Sequence, residues 1–392
     1  MLTTTAALTV DLSLPAIPAM AEALATSLPK AQQIVGLFMI GMACGQIPAG
    51  LFADRLGRLP VLYVGMSIFT LAAIAAAFAQ TIEIMLAARF VQGMGAAAAV
   101  VLSRAIVRDI ASGNEAVRMM SLMTMLFTAA PVIAPSLGAL LMGLFDWRAT
   151  FSAIALAGVL LLVAIRVNIV ETHTPRPQGH PVRQLGRSFR TFFSYRRSIF
   201  GLLLLVTPPI GFMSVITVSA ALIVDTFGYS VRVYALIFAC AGVSIMVGSI
   251  LNRWLVGRYS VPSLLAIGAV IIGVASVSLA GIAITNVESV TWYWGSLCLY
   301  LLAVGILLPN ATVVALDPLP EVAGVASSII GSIQNLAGAA GAMLGAAIYD
   351  GSVRNASVTI AAAGALTFIF WLARPLISPT PLCEHPPETL RG

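Results

Sequence analysis

The chain has 392 residues, 59% of them hydrophobic and 9% charged, with a mean hydropathy of +1.00, whereas a soluble domain carries roughly 25% charged residues. That much apolar surface excludes a soluble particle and points to an integral membrane protein of many spans. The net charge of +6 comes from 20 Arg and one Lys, and where these fall along the chain makes them a topology signal rather than a nucleic-acid footprint.

A helix needs about 20 apolar residues to cross a hydrocarbon core of about 30 Å. Runs of that kind lie at about 1–21, 33–53, 60–80, 83–106, 118–143 and 148–168, and again at 199–224, 232–252, 262–284, 289–314, 323–348 and 353–373. Six are followed by six. The segment 171–197, ETHTPRPQGHPVRQLGRSFRTFFSYRR, is polar and rich in Pro and Arg, and reads as a linker whose LGRSFRTFF portion lies on the membrane surface as a short amphipathic helix. The expected division is a first bundle at 1–170, a linker at 171–198, a second bundle at 199–374 and a tail at 375–392.

The first run, MLTTTAALTVDLSLPAIPAM, has no basic leader and is interrupted by Asp11, so it is kept as a span rather than a cleaved signal. It starts abruptly at Met1, which raises the expectation that residues preceding it are missing. With an inside N-terminus, sixteen basic residues fall in inside loops, among them Arg55, Arg58, Arg104, Arg183 and Arg253. Only Lys30, Arg148, Arg232 and Arg354 fall outside, and Arg89 lies near or within the membrane. The bias places both termini and the linker in the cytoplasm.

Asp11 lies about 15 Å along the first helix at 1.5 Å per residue, close to the membrane centre, and an ionisable group there is a functional candidate by default. Between burial, which favours its neutral form, and a nearby cation, which favours its charged form, such an acid can take up and release a proton. Pro15 and Pro18 stand at i+4 and i+7 from it, on the same face. The competing reading is an acid at the end of a shortened helix, facing water.

After the second run comes GLFADRLGR (50–58), where Gly50 and Gly57 permit close approach and a tight turn beside Asp54, Arg55 and Arg58. The Asp54 carboxylate is placed to bond helix N-terminal amides or a neighbouring Arg, as a cytoplasmic latch. In the fourth run, RFVQGMGAAAAVVLSR (89–104) sets Arg89, Gln92 and Gly93 on one face among small residues. Arg89 is the natural partner for Asp11, unless it snorkels to the outer interface. In the fifth run Pro131, Pro135 and Gly138 of APVIAPSLGALL make a bent, tightly packed helix, a gate or a kink made for packing alone.

A second Gly-Arg cluster, GSILNRWLVGR at 248–258, follows the eighth run, with Arg253 placed 198 residues after Arg55. Two related halves in parallel orientation follow, with solute near the midplane between them. Near the outer end of the tenth run, Trp292, Tyr293 and Trp294 fit an interfacial belt. In the eleventh run Gly341 and Gly345 form a GxxxG pair for helix packing, while Gln334 and Asn335 either face a solute or are satisfied by interhelical hydrogen bonds.

Cys44, Cys240, Cys298 and Cys383 are dispersed without a CxxC pair, and His173, His180 and His385 lie in polar segments, so neither disulfides nor a metal site is expected. No P-loop is present to hydrolyse ATP, and isolated mid-depth groups do not form an enzyme's constellation.

With these residues in hand the chain resembles the major facilitator superfamily, and within it the drug:proton antiporters of the Bcr/CflA type. GLFADRLGR is similar to the loop signature after the second helix, RFVQGMGAA to the fourth-helix signature and APVIAPSLGA to the fifth-helix antiporter motif. DLSLPAIPAM (11–20), SRAIVRDI (103–110) and LPNATVVALDPLPEVAGVASSIIGSIQ (308–334) echo the Bcr/CflA pattern. Two departures stand out. Leu59 replaces the basic residue that commonly follows the loop signature, and Ala130, Ala134 and Ala139 stand where the fifth-helix motif commonly has glycine.

The resemblance implies an all-α integral membrane protein of the major facilitator fold, with twelve transmembrane helices in two six-helix halves. Asp11 and Arg89 would form the proton-coupling site, with Gln92 beside it, and Asp54, Arg55 and Arg58 the latch; apart from the resemblance, Gln92, Gln334 and Asn335 are the candidates for the substrate cavity. The implied protein is not an enzyme but a monomeric exporter of small amphipathic compounds in a bacterial cytoplasmic membrane, rocking between inward-open and outward-open states. Its partners are lipid, substrate and protons, with the proton as coupling ion and no cofactor. A transporter of the same fold for an endogenous metabolite is the alternative.

Overall fold

The computed structural model describes residues 2, 4–110, 119, 123, 133–172, 181–256, 258–319 and 323–377. In the first half α1 (Thr4–Ser13) and α2 (Ile17–Ala23) are followed by α3 (Leu28–Leu56), α4 (Arg58–Ala77), α5 (Ile82–Ile110), α6 (Ile133–Leu144) and α7 (Arg148–Asn168). The linker holds α8 (Pro181–Ser194). The second half comprises α9 (Arg196–Ala221), α10 (Val231–Leu255), α11 (Val261–Thr285), α12 (Val290–Leu316), α13 (Ala323–Ile348) and α14 (Val353–Leu372), and the short α15 (Arg374–Ile377) follows. Ten of these helices, α3, α4, α5, α7 and α9 to α14, are long and apolar enough to cross a membrane. With α1 and α2 counted as one broken span and α6 as the described part of another, these helices fit the fold of twelve spans in two halves of six.

The first span breaks because its prolines cannot donate. Pro15 and Pro18 leave the carbonyls of Asp11 and Leu14 without their usual amide partners. The chain answers with a 3-10 turn at Leu14–Ala16, where the Ile17 N–H closes onto the Leu14 carbonyl. The spacing that places Asp11, Pro15 and Pro18 on one face holds only for a continuous helix; the turn separates Asp11 in α1 from Pro18 in α2.

In lipid, helices associate through close van der Waals contact rather than through exclusion of water. Gly41 on α3 lies against the Phe90 carbonyl of α5, and Gly93 on α5 against the Phe38 carbonyl of α3. The second half repeats the device, with Gly248 of α10 on the Leu302 carbonyl and Gly305 of α12 on the Ile245 carbonyl. As expected of the GxxxG pair, Gly341 and Gly345 of α13 sit on the carbonyls of Ile210 and Ser214 in α9.

The halves meet chiefly along α3 and α13. Gly36 lies beneath Met343, Met39 against Gly338, Gln46 against Gly331, and Gly50 faces Ser328. The 3-10 turn of the first span also touches α9 and α10, and α2 touches α9.

One end of the bundle is marked by the Lys30–Glu83 ion pair at 2.5 Å and by Arg148, which donates to the Ala79 carbonyl at 3.3 Å. The other end carries Asp54, Arg58, Asp109 and Glu171. There α8 packs on α9 and α13 with Ser188 and Phe192 buried and Arg187 and Arg190 exposed, the arrangement expected of an amphipathic linker helix. The interfacial belt at the tenth run is corrected. Tyr293 and Trp294 are buried, with the Trp294 indole donating to the Ile237 carbonyl at 2.7 Å, and only Trp292 is exposed.

Candidate functional site

Asp11 is buried at 6% exposure, about 18 Å from the end of α2 at 1.5 Å per residue. The Val10, Leu12 and Leu14 side chains of its span belong to the same buried cluster as Val215 and Val218 of α9. Among the described residues it makes neither an ion pair nor a side-chain hydrogen bond. The competing reading, an acid at a helix end facing water, is therefore not met.

Arg89 is fully buried, so it does not snorkel, but neither does it meet Asp11. It lies only about 10 Å from the start of α5, and its side chain turns into the first half. Its Nε donates to the Ile34 carbonyl at 3.3 Å and its Nη1 to Gln92 Oε1 at 2.8 Å. The guanidinium also stacks on Phe38 and Phe151, at 4.6 and 5.7 Å from the ring centroids. Arg89 Nη2 and Gln92 Nε2 are buried without a partner among the described residues. The expected Asp11–Arg89 pair is thus replaced by an aromatic and amide cage, because depth and side-chain direction, invisible in spacing alone, separate the two groups.

The loop signature builds a compact charge cluster around Arg58. Its Nη1 donates to Asp54 at 2.6 Å and its Nε to Asp109 at 3.1 Å. Asp109 also accepts from the Thr172 hydroxyl at 3.2 Å. Of the two roles open to Asp54, the structure displays the bond to a neighbouring Arg; the amides that open α4 are capped by Glu171, whose carboxylate accepts from the Arg58 and Leu59 N–H groups at 2.9 and 3.0 Å. Gly57 allows this with a φ of +96°, and a Cβ there would lie 2.6 Å from Glu171 Oε2. Asp54 and Arg55 are exposed, while Gly50 lies on the seam toward α13.

In α6 Gly138 is pressed onto the Leu12 carbonyl and Pro15, directly beside Asp11, and Pro135 is buried. Pro131 and Ala130 lie outside the described residues. The two polar residues of the eleventh span are half-buried. Gln334 donates to the Leu205 carbonyl at 3.3 Å, and that carbonyl is the one Pro209 leaves orphaned inside α9. Asn335 donates to Gly331 within its own helix. Of the two readings for Gln334, the structure displays the interhelical bond.

Reasoning from sequence missed Asp109 and Glu171. Asp109 stood inside SRAIVRDI, and an acid at the end of the fourth run, on the same side as Arg58, was the available signal. Glu171 had none, since only folding brings the start of the linker under α4.

The sequence matches the family described as the Major Facilitator Superfamily over residues 1–342. It is similar to a bicyclomycin resistance protein homolog of Haemophilus influenzae, 28% identical over 93% of this chain and 91% of that one. It is also similar to the multidrug resistance protein MdtL of Escherichia coli O9:H4, 30% identical over 83% of this chain and 81% of the relative. Among solved structures, a D-xylose–proton symporter shares the fold with a TM-score of 0.75 at 18% identity, covering 94% of this chain and 95% of the other.

Proposed function

The chain belongs to the Major Facilitator Superfamily, and from that premise we propose that this multi-pass transporter exports small amphipathic compounds in exchange for protons, with Asp11 as the proton-carrying group. The observation that carries the coupling is a buried carboxyl, without an ion-pair partner among the described residues, in a proline-broken span that touches the other half. A neutral carboxyl is tolerated there and an ionised one asks for water or a cation, so its protonation state follows which side of the membrane it sees. The similarity to bicyclomycin and multidrug resistance proteins supports export of antibiotic-like compounds. An apolar surround with few polar groups discriminates weakly among solutes, which suits a broad substrate range.

The basic residues favour a bacterial cytoplasmic membrane with both termini inside, the Lys30 end outside and the Arg58 cluster at the cytoplasmic end. The protein works as a monomer, since its one pair of six-helix halves encloses the path. Arg89 and Gln92, caged toward the outer side, provide a fixed positive field that keeps other cations off the route to Asp11. When the halves rock, the Arg58 cluster holds the cytoplasmic end of the first half together as one body.

The test is proton movement in inside-out vesicles with an acidic interior, read by a pH-sensitive dye, with bicyclomycin as the first compound of a panel. A compound that collapses the gradient in wild type but not in Asp11→Asn supports the reading. Equal responses from both proteins remove Asp11 from the coupling step.

A further inference from the structure

The second half answers Asp11 with a tyrosine. Tyr234 lies one turn into α10 and is fully buried in the same apolar cluster as Val10, Leu12 and Leu14. The 3-10 turn that follows Asp11 touches both α9 and α10, and the Asp11 carboxylate is within electrostatic reach of the Tyr234 phenol across the interface. Ser219 of α9 fixes the phenol's hydrogen. The Ser219 hydroxyl donates its only hydrogen to the Ile216 carbonyl at 2.7 Å and stands 3.1 Å from the Tyr234 oxygen, so in that bond Tyr234 is the donor. The phenolic oxygen is left with lone pairs and no hydrogen for a further partner.

We propose that Tyr234, oriented by Ser219, is a positioning residue that reads the protonation state of Asp11 and closes the outer side only over the protonated acid. A protonated carboxyl has an O–H to give, and in direct contact the Tyr234 oxygen can accept it. An ionised carboxylate is acceptor-only and meets the lone pairs of another acceptor, so the contact turns repulsive and the halves part on that side. The inference rests on the reading of Asp11 as the coupling group. It adds a direction: the proton closes the outside and is carried in, and its loss to the cytoplasm reopens the route for the next compound.

The other ionisable groups on the packed elements do not compete for this contact. Arg89 on α5 is turned onto Ile34 and Gln92, and α7 carries its charges, Arg148 and Arg166, near its ends. Glu22, Asp225 and Arg232 are exposed at the outer rim, and Tyr293 on α12 is buried.

The experiment measures the outer opening of the full-length protein in liposomes between pH 8 and 5. Spin labels on cysteines at Ala23 and Tyr229, with the four native cysteines replaced by alanine, report the distance between the first span and the start of α10. In wild type the closed population grows as pH falls. Tyr234→Phe keeps the ring and removes the acceptor, and is expected to lower the closed-to-open ratio at pH 5 about fivefold and flatten the pH response. Ser219→Ala frees the phenolic hydrogen for the ionised carboxylate, so closure should persist at pH 8. Asp11→Asn, a permanent donor, should be closed throughout. A pH response in Tyr234→Phe equal to wild type overturns the proposal, and if that variant does not fold, an unchanged response in Ser219→Ala does so. Loss of drug-driven proton release in Asp11→Asn alongside a wild-type response in Tyr234→Phe defeats this inference alone, whereas retained release in Asp11→Asn defeats the coupling reading beneath it.

Discussion

Replacing Gly57 by alanine tests how the Arg58 cluster is built. Gly57 sits at φ +96° and ψ 162°, where an L-residue carries strain of about 1–3 kcal/mol. The new Cβ would also lie 2.6 Å from Glu171 Oε2, so the carboxylate must leave the Arg58 and Leu59 amides. Loss of that cap is worth about 1–2 kcal/mol, discounted because the Leu59 bond is exposed. Gly57→Ala should therefore destabilise by about 2–5 kcal/mol and Glu171→Ala by about 1–2 kcal/mol. The double variant should fall short of their sum by about 1–2 kcal/mol, because the cap can be lost only once. Unfolding of such a protein in detergent is irreversible, so the assay is the half-life of the monodisperse species at fixed temperature, followed by fluorescence-detected size exclusion. Fully multiplicative effects on the half-life, or Gly57→Ala as durable as wild type, would refute the capping geometry.

Asp109→Asn should shorten the same half-life more than Asp54→Asn, because the Asp109 side chain is 22% exposed and that of Asp54 63%, and an exposed pair is screened by water. Gly138→Leu forces α6 off the Leu12 carbonyl and Pro15; in vesicles it should abolish transport even where the purified protein stays monodisperse, and normal transport would deny that this contact positions Asp11. Gln334→Leu strands the Leu205 carbonyl in α9 and should cost about 1–3 kcal/mol, seen as a shortened half-life that Pro209→Ala largely restores by supplying the missing N–H. Failure of that rescue would show that Gln334 acts elsewhere.

Much of the architecture was legible because lipid imposes a one-dimensional rule. Each apolar run near 20 residues had to be a helix, and the runs expected at 148–168 and 353–373 appear as Arg148–Asn168 and Val353–Leu372. The glycine pair at 341 and 345 was readable for the same reason, since only small residues let backbones touch. Partners were not readable. Arg89 and Asp11 looked like a pair because both are rare charges in spans, yet which way a helix turns its side chains depends on all its neighbours at once. Glu171 could not be assigned to α4 because 112 positions separate it from Leu59 and only the closed fold spans them. Nothing in the sequence sets Tyr234 apart from other aromatics in apolar runs, and its meaning arises only from the hydrogen that Ser219 takes.

The two halves share a plan but differ where charge matters. At 198 residues from Asp54 the second half carries Asn252, which accepts from Asn310 at 2.6 Å in a buried amide pair. Neutral amides hold their bond whichever side of the membrane supplies water, whereas the Asp54–Arg58–Asp109 cluster is part-exposed and weakens as water enters. The proposed coupling follows the same division: the first half contributes Asp11, the acid proposed to gain and lose a proton, and the second contributes a phenol whose hydrogen is already assigned. The responsive groups thus sit on one side of the seam along α3 and α13 and the fixed references on the other. That is the arrangement needed for a protonation event at Asp11 to become a movement of one half against the other rather than a local rearrangement within either.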